Sequence, residues 1–506
     1  MNEADAAGVG DEQAGDEPTG GAAGRSPSTT PRLFIAGAAF VAALFVVCIF
    51  SPRYSIWLGL YVPEASFNPE IKRASVSLVQ VDDPFLFLRE ADKAGLVNKG
   101  LAYRLFFPLL AHYLNLPDTV FLALPHLGCL LVLALVAQLT WRETGDRLLT
   151  FLATLLFAAL PWFFVSTGWL SYFDSYWVLG LLVVGLVRSR TALLAACLIV
   201  PWIDERFLLG LPLAVVVRAL YVRGEELTPR RLVREVFTIG AVTLPYVIWR
   251  IVAAGGEDAT AAHFNEEWSR IYKTTARTFR DAMWSGFRGA WIFLVPLVVV
   301  AWNRQRSWLF GLLLAGILLT TAAGLLVAAD MSRGLMMLVP AVLAGCLLWL
   351  REVDRAKRLI LCGIVSVNLM LPLVLALGSQ VLGAQDRWPT AHHVLWYFKV
   401  PIHDLHYEWQ QLQSPPWYVN ARYYFAEGMR LHREGKTDAA LHFFDNSVRL
   451  DANFADGHYA RAALLLQRGE RAAAVASLEK ALQVAEDDWP AREECRRRLR
   501  DLKSGS

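Results

Sequence analysis

Charge is sparse in this chain. Asp, Glu, Lys and Arg make up 19 % of 506 residues, and the formal net charge is only +3. A balance this close to neutral offers no basic field for a nucleic-acid partner, and none is expected. Metal-ligand spacing is lacking too. Five of the six cysteines (Cys48, Cys129, Cys197, Cys346, Cys362) lie in apolar blocks and Cys495 lies near the C-terminus, with no pair at ligand spacing. A thiol inside a helix is usually a small hydrophobe, so no disulfide framework is expected.

What the chain does have is hydrophobic sequence, 55 % of all residues, with a mean hydropathy of +0.37. The apolar residues come in blocks of about 20, the length that crosses a bilayer. The fold class expected is all-α: a polytopic transmembrane bundle with a soluble helical domain after it. Spans read at 33–50, 119–140, 147–165, 172–187, 191–203, 207–222, 236–253, 289–302, 307–328, 334–350 and 358–378, about eleven in all. Residues 1–31 are low-complexity and expected to be disordered. The first span follows an acidic tail without a small-residue cleavage site, so it reads as a retained helix.

The basic residues test these spans. Arg142 and Arg147, Arg188 and Arg190, the run Arg218, Arg223, Arg230, Arg231 and Arg234, Arg304 and Arg306, and Arg351, Arg355, Lys357 and Arg358 all fall in connections on one side. The positive-inside rule makes that side cytoplasmic. The expectation is a multi-pass protein of a bacterial inner membrane, with the N-terminus inside. The loop 51–118, the linker 381–420 and residues 421–503 then lie outside, as do Asp174, Asp204–Glu205 and Asp330–Arg333.

From Ala421 the composition turns soluble and alanine-rich, and two stretches align at a period of 34. Gly428 pairs with Ala462, Leu431 with Leu465, Gly435 with Gly469, Ala440 with Ala474, Phe444 with Leu478 and Ser447 with Ala481. Period and small/large positions resemble tetratricopeptide repeats, with Ala452 where a proline is usual. A final helix near 491–503 or the membrane domain would cap so short an array. Such repeats bind peptides or proteins, so 421–503 is a candidate surface for a protein partner or acceptor; the alternative is a spacer on the membrane domain.

Chemistry is expected at the charged residues on the outer side. The first loop reads Val79-Gln-Val-Asp-Asp-Pro-Phe-Leu-Phe-Leu-Arg-Glu-Ala, then Tyr103-Arg-Leu-Phe-Phe-Pro-Leu-Leu-Ala. The carboxylate pair Asp82–Asp83 precedes two helices suited to lying at the interface. One aspartate of the pair has a structural alternative as a helix cap. Asp174 reads as a site residue or as the N-cap of the fourth span. Asp204-Glu205-Arg206 interrupts an apolar run, a costly place for charge unless it pairs or faces a cavity; pairing of Arg206 with Glu205 is the plain alternative. Arg333, in Asp330-Met-Ser-Arg333, could hold a phosphate bidentately or simply pair with Asp330. His392, His393, His403 and His406 with Asp404 match no standard zinc spacing.

This arrangement resembles the GT-C superfamily of membrane glycosyltransferases, which take sugars from polyisoprenyl phosphates, such as protein O-mannosyltransferases and lipid A aminoarabinose transferases. The resemblance covers about residues 33–350. It rests on an acidic residue after the first span, in a long external loop with interfacial helices, and on a second acidic residue, Asp174, between spans three and four. It implies transfer of a sugar from a polyisoprenyl-phosphate donor to an acceptor outside the cytoplasm. Asp82 or Asp83 would be the base, Asp174 a second catalytic acid residue, Arg333 and Arg206 the phosphate contacts, with Asp204 and Glu205 supporting. No cofactor is implied; Asp82–Asp83 is not an Asp-x-Asp motif, so a divalent metal is open but not indicated. The rival classes are a membrane-anchored repeat scaffold, for which eleven spans are excessive, and a transporter, whose charges belong near span centres.

Overall fold

Long runs of Leu, Val and Ala with no outside partner for their amides leave the backbone to satisfy itself as helix. The computed structural model describes residues 30–50, 69–89, 99–223, 228–253, 276–304, 307–326, 330–371, 373–377, 380–383, 421–485 and 489–504. Among these, six helical runs are long and apolar enough to cross a membrane: Pro31–Cys48, Asp118–Thr144, Pro229–Ala253, Thr278–Asn303, Ser307–Leu326 and Met331–Leu350. They mark a membrane protein. Met331–Leu350 is 89 % buried and Pro229–Ala253 only 17 %, so the former is the central rod and the latter faces outward.

In chain order the helices used below are α1 (Thr30–Phe45), α2 (Pro69–Asp82), α3 (Phe106–Leu114), α4 (Asp118–Thr144), α5 (Arg147–Ala158), α6 (Pro161–Gly168), α7 (Asp174–Leu186), α8 (Arg190–Ile199), α9 (Arg206–Arg218), α10 (Pro229–Ala253), α11 (Ala276–Phe287), α12 (Leu294–Asn303), α13 (Ser307–Leu326), α14 (Val339–Leu350) and α15 (Arg355–Met370). A two-stranded antiparallel hairpin follows, β1 (Val374–Leu377) with β2 (Gln380–Gly383). α7 packs on α4, α8, α9 and α14, and α1 lies against α4 and α5.

Several expected spans come out differently, each for a local reason. The segment 147–165 is two helices, α5 and α6, bent by 64°. Pro161 keeps Leu160 extended (ψ 159°) and itself opens α6. α6 is buried throughout, which is where a broken helix is tolerated in a bilayer. The segment 358–378 is helical only to Met370; Leu371, which precedes Pro372 in sequence, is extended (ψ 130°), and β1 begins at Val374. The short segment 289–302 is the second half of the run Thr278–Asn303, whose first half α11 is too polar to read as a span. The segments 172–187 and 191–203 are the shorter apolar helices Asp174–Leu186 and Arg190–Trp202.

Two buried arginines close helix ends that sequence leaves open. Arg288 donates to the Leu371 carbonyl at 2.9 Å and to the Ala159 carbonyl, at the C-termini of α15 and α5. Arg218 donates to the carbonyls of Val184 (3.1 Å) and Val187 at the C-terminus of α7. A cation there satisfies orphan carbonyls and the negative end of the helix dipole together.

Beyond the apolar half lie α16 (Ala421–Arg433), α17 (Thr437–Leu450), α18 (Ala455–Gln467), α19 (Arg471–Val484) and α20 (Arg492–Ser504). They form two antiparallel helix pairs and a closing helix. Gly435 and Gly469 end the first helix of each pair at φ +78° and +79°, the left-handed backbone that glycine takes most cheaply. At Gly428 an added Cβ would lie 2.6 Å from the Phe444 ring, while Ala440, Ala462, Ala474 and Ala481 are fully buried. The aligned small and large residues therefore do meet across the pairs.

Candidate active site at one end of the bundle

Four turns of the chain bring charge to one end of the bundle. α7 and α9 start there with Asp174 and Arg206, Arg104 lies just before α3, and Asp330 caps the short turn Met331–Gly334 by accepting from Arg333 N. Asp174 is the hub. Arg333 binds it with two parallel hydrogen bonds, Nε to Oδ2 at 2.7 Å and NH2 to Oδ1 at 2.9 Å. Arg206 NH2 reaches Oδ1 at 2.5 Å and Trp177 Nε1 donates to Oδ1 at 3.0 Å.

The chain of ions continues outward. Arg206 also holds Asp204, by Nε (2.8 Å) and NH2 (2.6 Å). Arg104 lies 3.1 Å from Asp204 and grips Glu205 through Nε (3.1 Å) and NH2 (2.9 Å). The Tyr172 ring lies between two guanidiniums, Arg73 at 3.8 Å and Arg333 at 4.3 Å, and Arg250 sits 3.3 Å from the Tyr103 ring. Tyr103 and Trp202 both adjoin Trp249, so an aromatic cluster flanks the ions.

These groups are inside the protein: Asp174, Asp204 and Arg333 are 1 %, 3 % and 8 % exposed. Burial pushes the Asp204 carboxyl up, but the guanidiniums of Arg104 and Arg206 outweigh it and hold the group at about 2. The same contest keeps Glu205 below its usual range, with Arg104 prevailing over burial. Asp330 goes the other way: burial raises it, and Arg333 offsets only part.

A cavity of about 20 Å³, room for a single water, opens beside the ions and is lined by Arg73, Ser77, Gln80, Arg104, Ser171 and Asp204. The Ser171 hydroxyl is buried there without a hydrogen-bond partner. α2 supplies one wall, presenting Arg73, Ser77 and Gln80 at helical spacing.

Of the residues singled out by sequence, the structure joins Asp174, Asp204, Glu205, Arg206 and Arg333 in one network. The plain alternatives fare differently. Asp174 is not an N-cap: Phe173 holds that position, and the Asp174 side chain turns to the arginines. Arg206 pairs with Asp204 and Asp174, leaving Glu205 to Arg104. Asp330 and Arg333 do approach, at 3.9 Å.

Asp82 and Asp83 sit at the end of α2. Asp82 faces the C-terminal helices, 3.4 Å from Arg449. Asp83 Oδ1 accepts from Phe85 N at 3.2 Å, as a cap does, and its own N–H continues the helix to Val79 O. Asp83 follows the cavity-lining Gln80 by three residues and is not itself part of the lining. The histidines 392–406 and Asp404 lie outside the described residues, among which no group of His, Cys, Asp and Glu could hold a metal ion.

Sequence reasoning missed Arg73, Arg104 and Arg250. Arg104 carried a usable signal, a single charge inside the run Tyr103-Arg-Leu-Phe-Phe-Pro. α2 itself was not anticipated.

No protein-family model, curated protein or solved structure matches this chain. The function must be argued from the site.

Proposed function

We propose that this protein is a membrane glycosyltransferase of the GT-C type, moving a sugar from a polyisoprenyl-phosphate donor to an acceptor on the extracytoplasmic side. The observation that carries the reading is the convergence of Arg206 and Arg333 on one buried carboxylate, Asp174, at the end of an otherwise apolar bundle. A guanidinium that holds a planar carboxylate bidentately, with a second beside it, is equally suited to a phosphate. A donor with an apolar tail reaches such a place through the bilayer.

In this reading the donor phosphate takes Arg333 and Arg206 over from Asp174, and the arginines offset the charge that grows as the phosphate leaves. Asp83, one turn from the cavity wall, takes the acceptor's proton in an inverting displacement. Arg73 and Arg104 close the phosphate side, and Asp204 and Glu205 keep Arg104 and Arg206 in place.

The eleven-segment topology accommodates this assignment. Asp174, Asp204, Arg333 and the first loop share one end. Arg142, Arg218, Arg351 and Arg358 share the other, tied to Glu143, Glu235 and Asp146. With the basic end cytoplasmic in a bacterial inner membrane, the site and residues 421–503 lie outside. The helix pairs there read as tetratricopeptide repeats, placed at the end of α2 by the Arg449–Asp82 contact, where they can present a protein acceptor.

The test uses membranes carrying wild type, Arg333→Gln or Asp83→Asn, incubated with radiolabelled polyisoprenyl-phosphate sugars and an acceptor-containing extract. Wild type should consume one donor, and each variant should lose about 10²-fold or more in rate. Donor untouched by folded wild-type protein would sink the enzyme reading. The repeat scaffold would then be the function left standing.

A further inference from the structure

The opposite end of the bundle holds a second concave site, of about 230 Å³, between α8, α9 and α10. Among the described residues, Arg190, Arg218, Arg223, Arg231 and Arg234 line it with a single carboxylate, Glu235. Glu235 is already engaged, 2.6 Å from Arg218 Nε and 3.7 Å from Arg223 NH2. Arg218 is buried and fixed on the carbonyls that end α7. Leaving aside Arg231, which has a partner of its own, four guanidiniums face this one carboxylate among the described residues.

Sidedness alone does not explain the arrangement. A positive-inside bias is met by arginines anywhere along a connection. Here they surround a cavity, and they sit where a helix disfavours them. Arg190 opens α8, and Arg230 and Arg231 open α10, with no acidic residue in either first turn. Cations there oppose the positive end of the helix dipole. Two other helices at this end also open with arginine, α5 and α15, but each brings its own anion as N-cap, Asp146 and Asp354. α8 and α10 are capped instead by the neutral hydroxyls of Ser189 and Thr228. An anion in the pocket would satisfy both helix ends and the surplus arginines at once.

The pocket is also amphipathic. Leu193, Leu194, Thr238 and Ile239 complete its lining, and α10 exposes Val233, Val236 and Phe237 alongside. A phosphate joined to acyl chains matches both surfaces; a free anion matches only one.

We propose that this pocket binds the anionic headgroup of a glycerophospholipid, its phosphodiester held by Arg190, Arg223 and Arg234 and its chains lying along the apolar face of α10. This inference does not depend on the glycosyltransferase reading, because its readouts are binding and stability.

The purified full-length chain in a neutral detergent is titrated with phosphatidylglycerol, phosphatidylcholine or inorganic phosphate, and thermal unfolding is followed. Native mass spectrometry counts retained lipids. Phosphatidylglycerol should raise the unfolding midpoint and be retained at least about ten-fold more tightly than phosphatidylcholine, the scale expected when two or more arginines near a lipid surface are engaged. An Arg223→Gln/Arg234→Gln variant should lose that preference. Equal shifts with the two lipids, or an undiminished preference in the variant, overturn the proposal. Inorganic phosphate that reproduces the whole shift overturns the lipid in favour of a free anion. If the variant does not fold, the wild-type comparison of the three additives decides alone.

Discussion

The two ends of the bundle both carry ion pairs, yet in opposite settings. At the Asp174 end the partners are inside: the side chains of Arg333 and Asp174 are 9 % and 2 % exposed. At the basic end, the buried Arg218 apart, water reaches the cations, as with Arg358, 46 % exposed beside Asp146, and Arg351, 48 % exposed beside Glu143. Exposed pairs are cheap to make and contribute little. Buried ones carry a large desolvation cost that their attraction only roughly offsets, so they are weak evidence for stability as a purpose. A chain that keeps three carboxylates and Arg333 buried at one end has placed there something that hydrophobic packing could not supply.

The sharpest way to break this comparison is to remove one cation at each end. Arg333→Ala leaves the buried Asp174 carboxylate with Arg206 as its remaining guanidinium and should destabilise the fold by about 3 kcal/mol, whereas Arg351→Ala should cost about 0–1 kcal/mol. Thermal or denaturant unfolding of the purified variants reads the difference. Asp174→Asn combined with Arg333→Gln should recover part of the loss, because the buried carboxylate charge is gone. Similar penalties at both ends would mean that the Asp174 network is not sequestered from water.

The rod joining the two ends gives a second, smaller effect. The segment Met331–Leu350 carries Arg333 near one end and precedes Arg351 at the other. A Cβ at Gly345 would lie 1.7 Å from the Phe293 carbonyl oxygen, so α14 and the turn before α12 would have to part. Gly345→Ala should destabilise by about 1–3 kcal/mol, the usual cost of overpacking a filled core. Gly363→Ala on α15, where nothing lies within 4 Å, should be neutral or slightly stabilising. Equal melting temperatures for the two variants would contradict the close approach of α14.

Much of this contrast was legible in the sequence, and for a physical reason. A charge inside an apolar run is expensive, so Asp174, Asp204, Arg206 and Arg333 stood out, and a common face for them followed from counting spans. The repeat was legible because a fixed spacing of small and large residues needs no knowledge of the fold. Partner identity was not legible. That Arg206 passes over its neighbour Glu205 for Asp174, and that Arg73 and Arg104 join from the first loop, depends on how distant turns meet. Span lengths failed at Pro161 and Leu371, where a local backbone restriction overrides hydropathy. Helix α2 was missed because its cavity face, Arg73, Ser77 and Gln80, is polar and gives no apolar period.

The smallest effect concerns the contact between the two halves, where Arg449 meets Asp82. His442, on the same helix as Arg449, is held below the usual histidine range. Burial is the main cause, and Arg449 adds to it, against the opposing pull of Asp82, Asp445 and Asp83. A histidine with a depressed folded pKa takes up its proton more readily when unfolded. Its contribution to stability is therefore complete above the unfolded value of about 6.5 and fades as pH falls below it. His458, depressed chiefly by burial within the repeats, acts with the same sign. The wild-type unfolding midpoint of the C-terminal helices should drop between pH 7.5 and 5.5, and His442→Asn and His458→Asn should each flatten part of that drop. Arg449→Ala separates the two histidines. Removing a repelling cation should ease protonation of His442 and shrink its share of the pH dependence, while the share lost in His458→Asn stays unchanged. A pH dependence of His442 indifferent to Arg449 would mean that burial alone holds the histidine down.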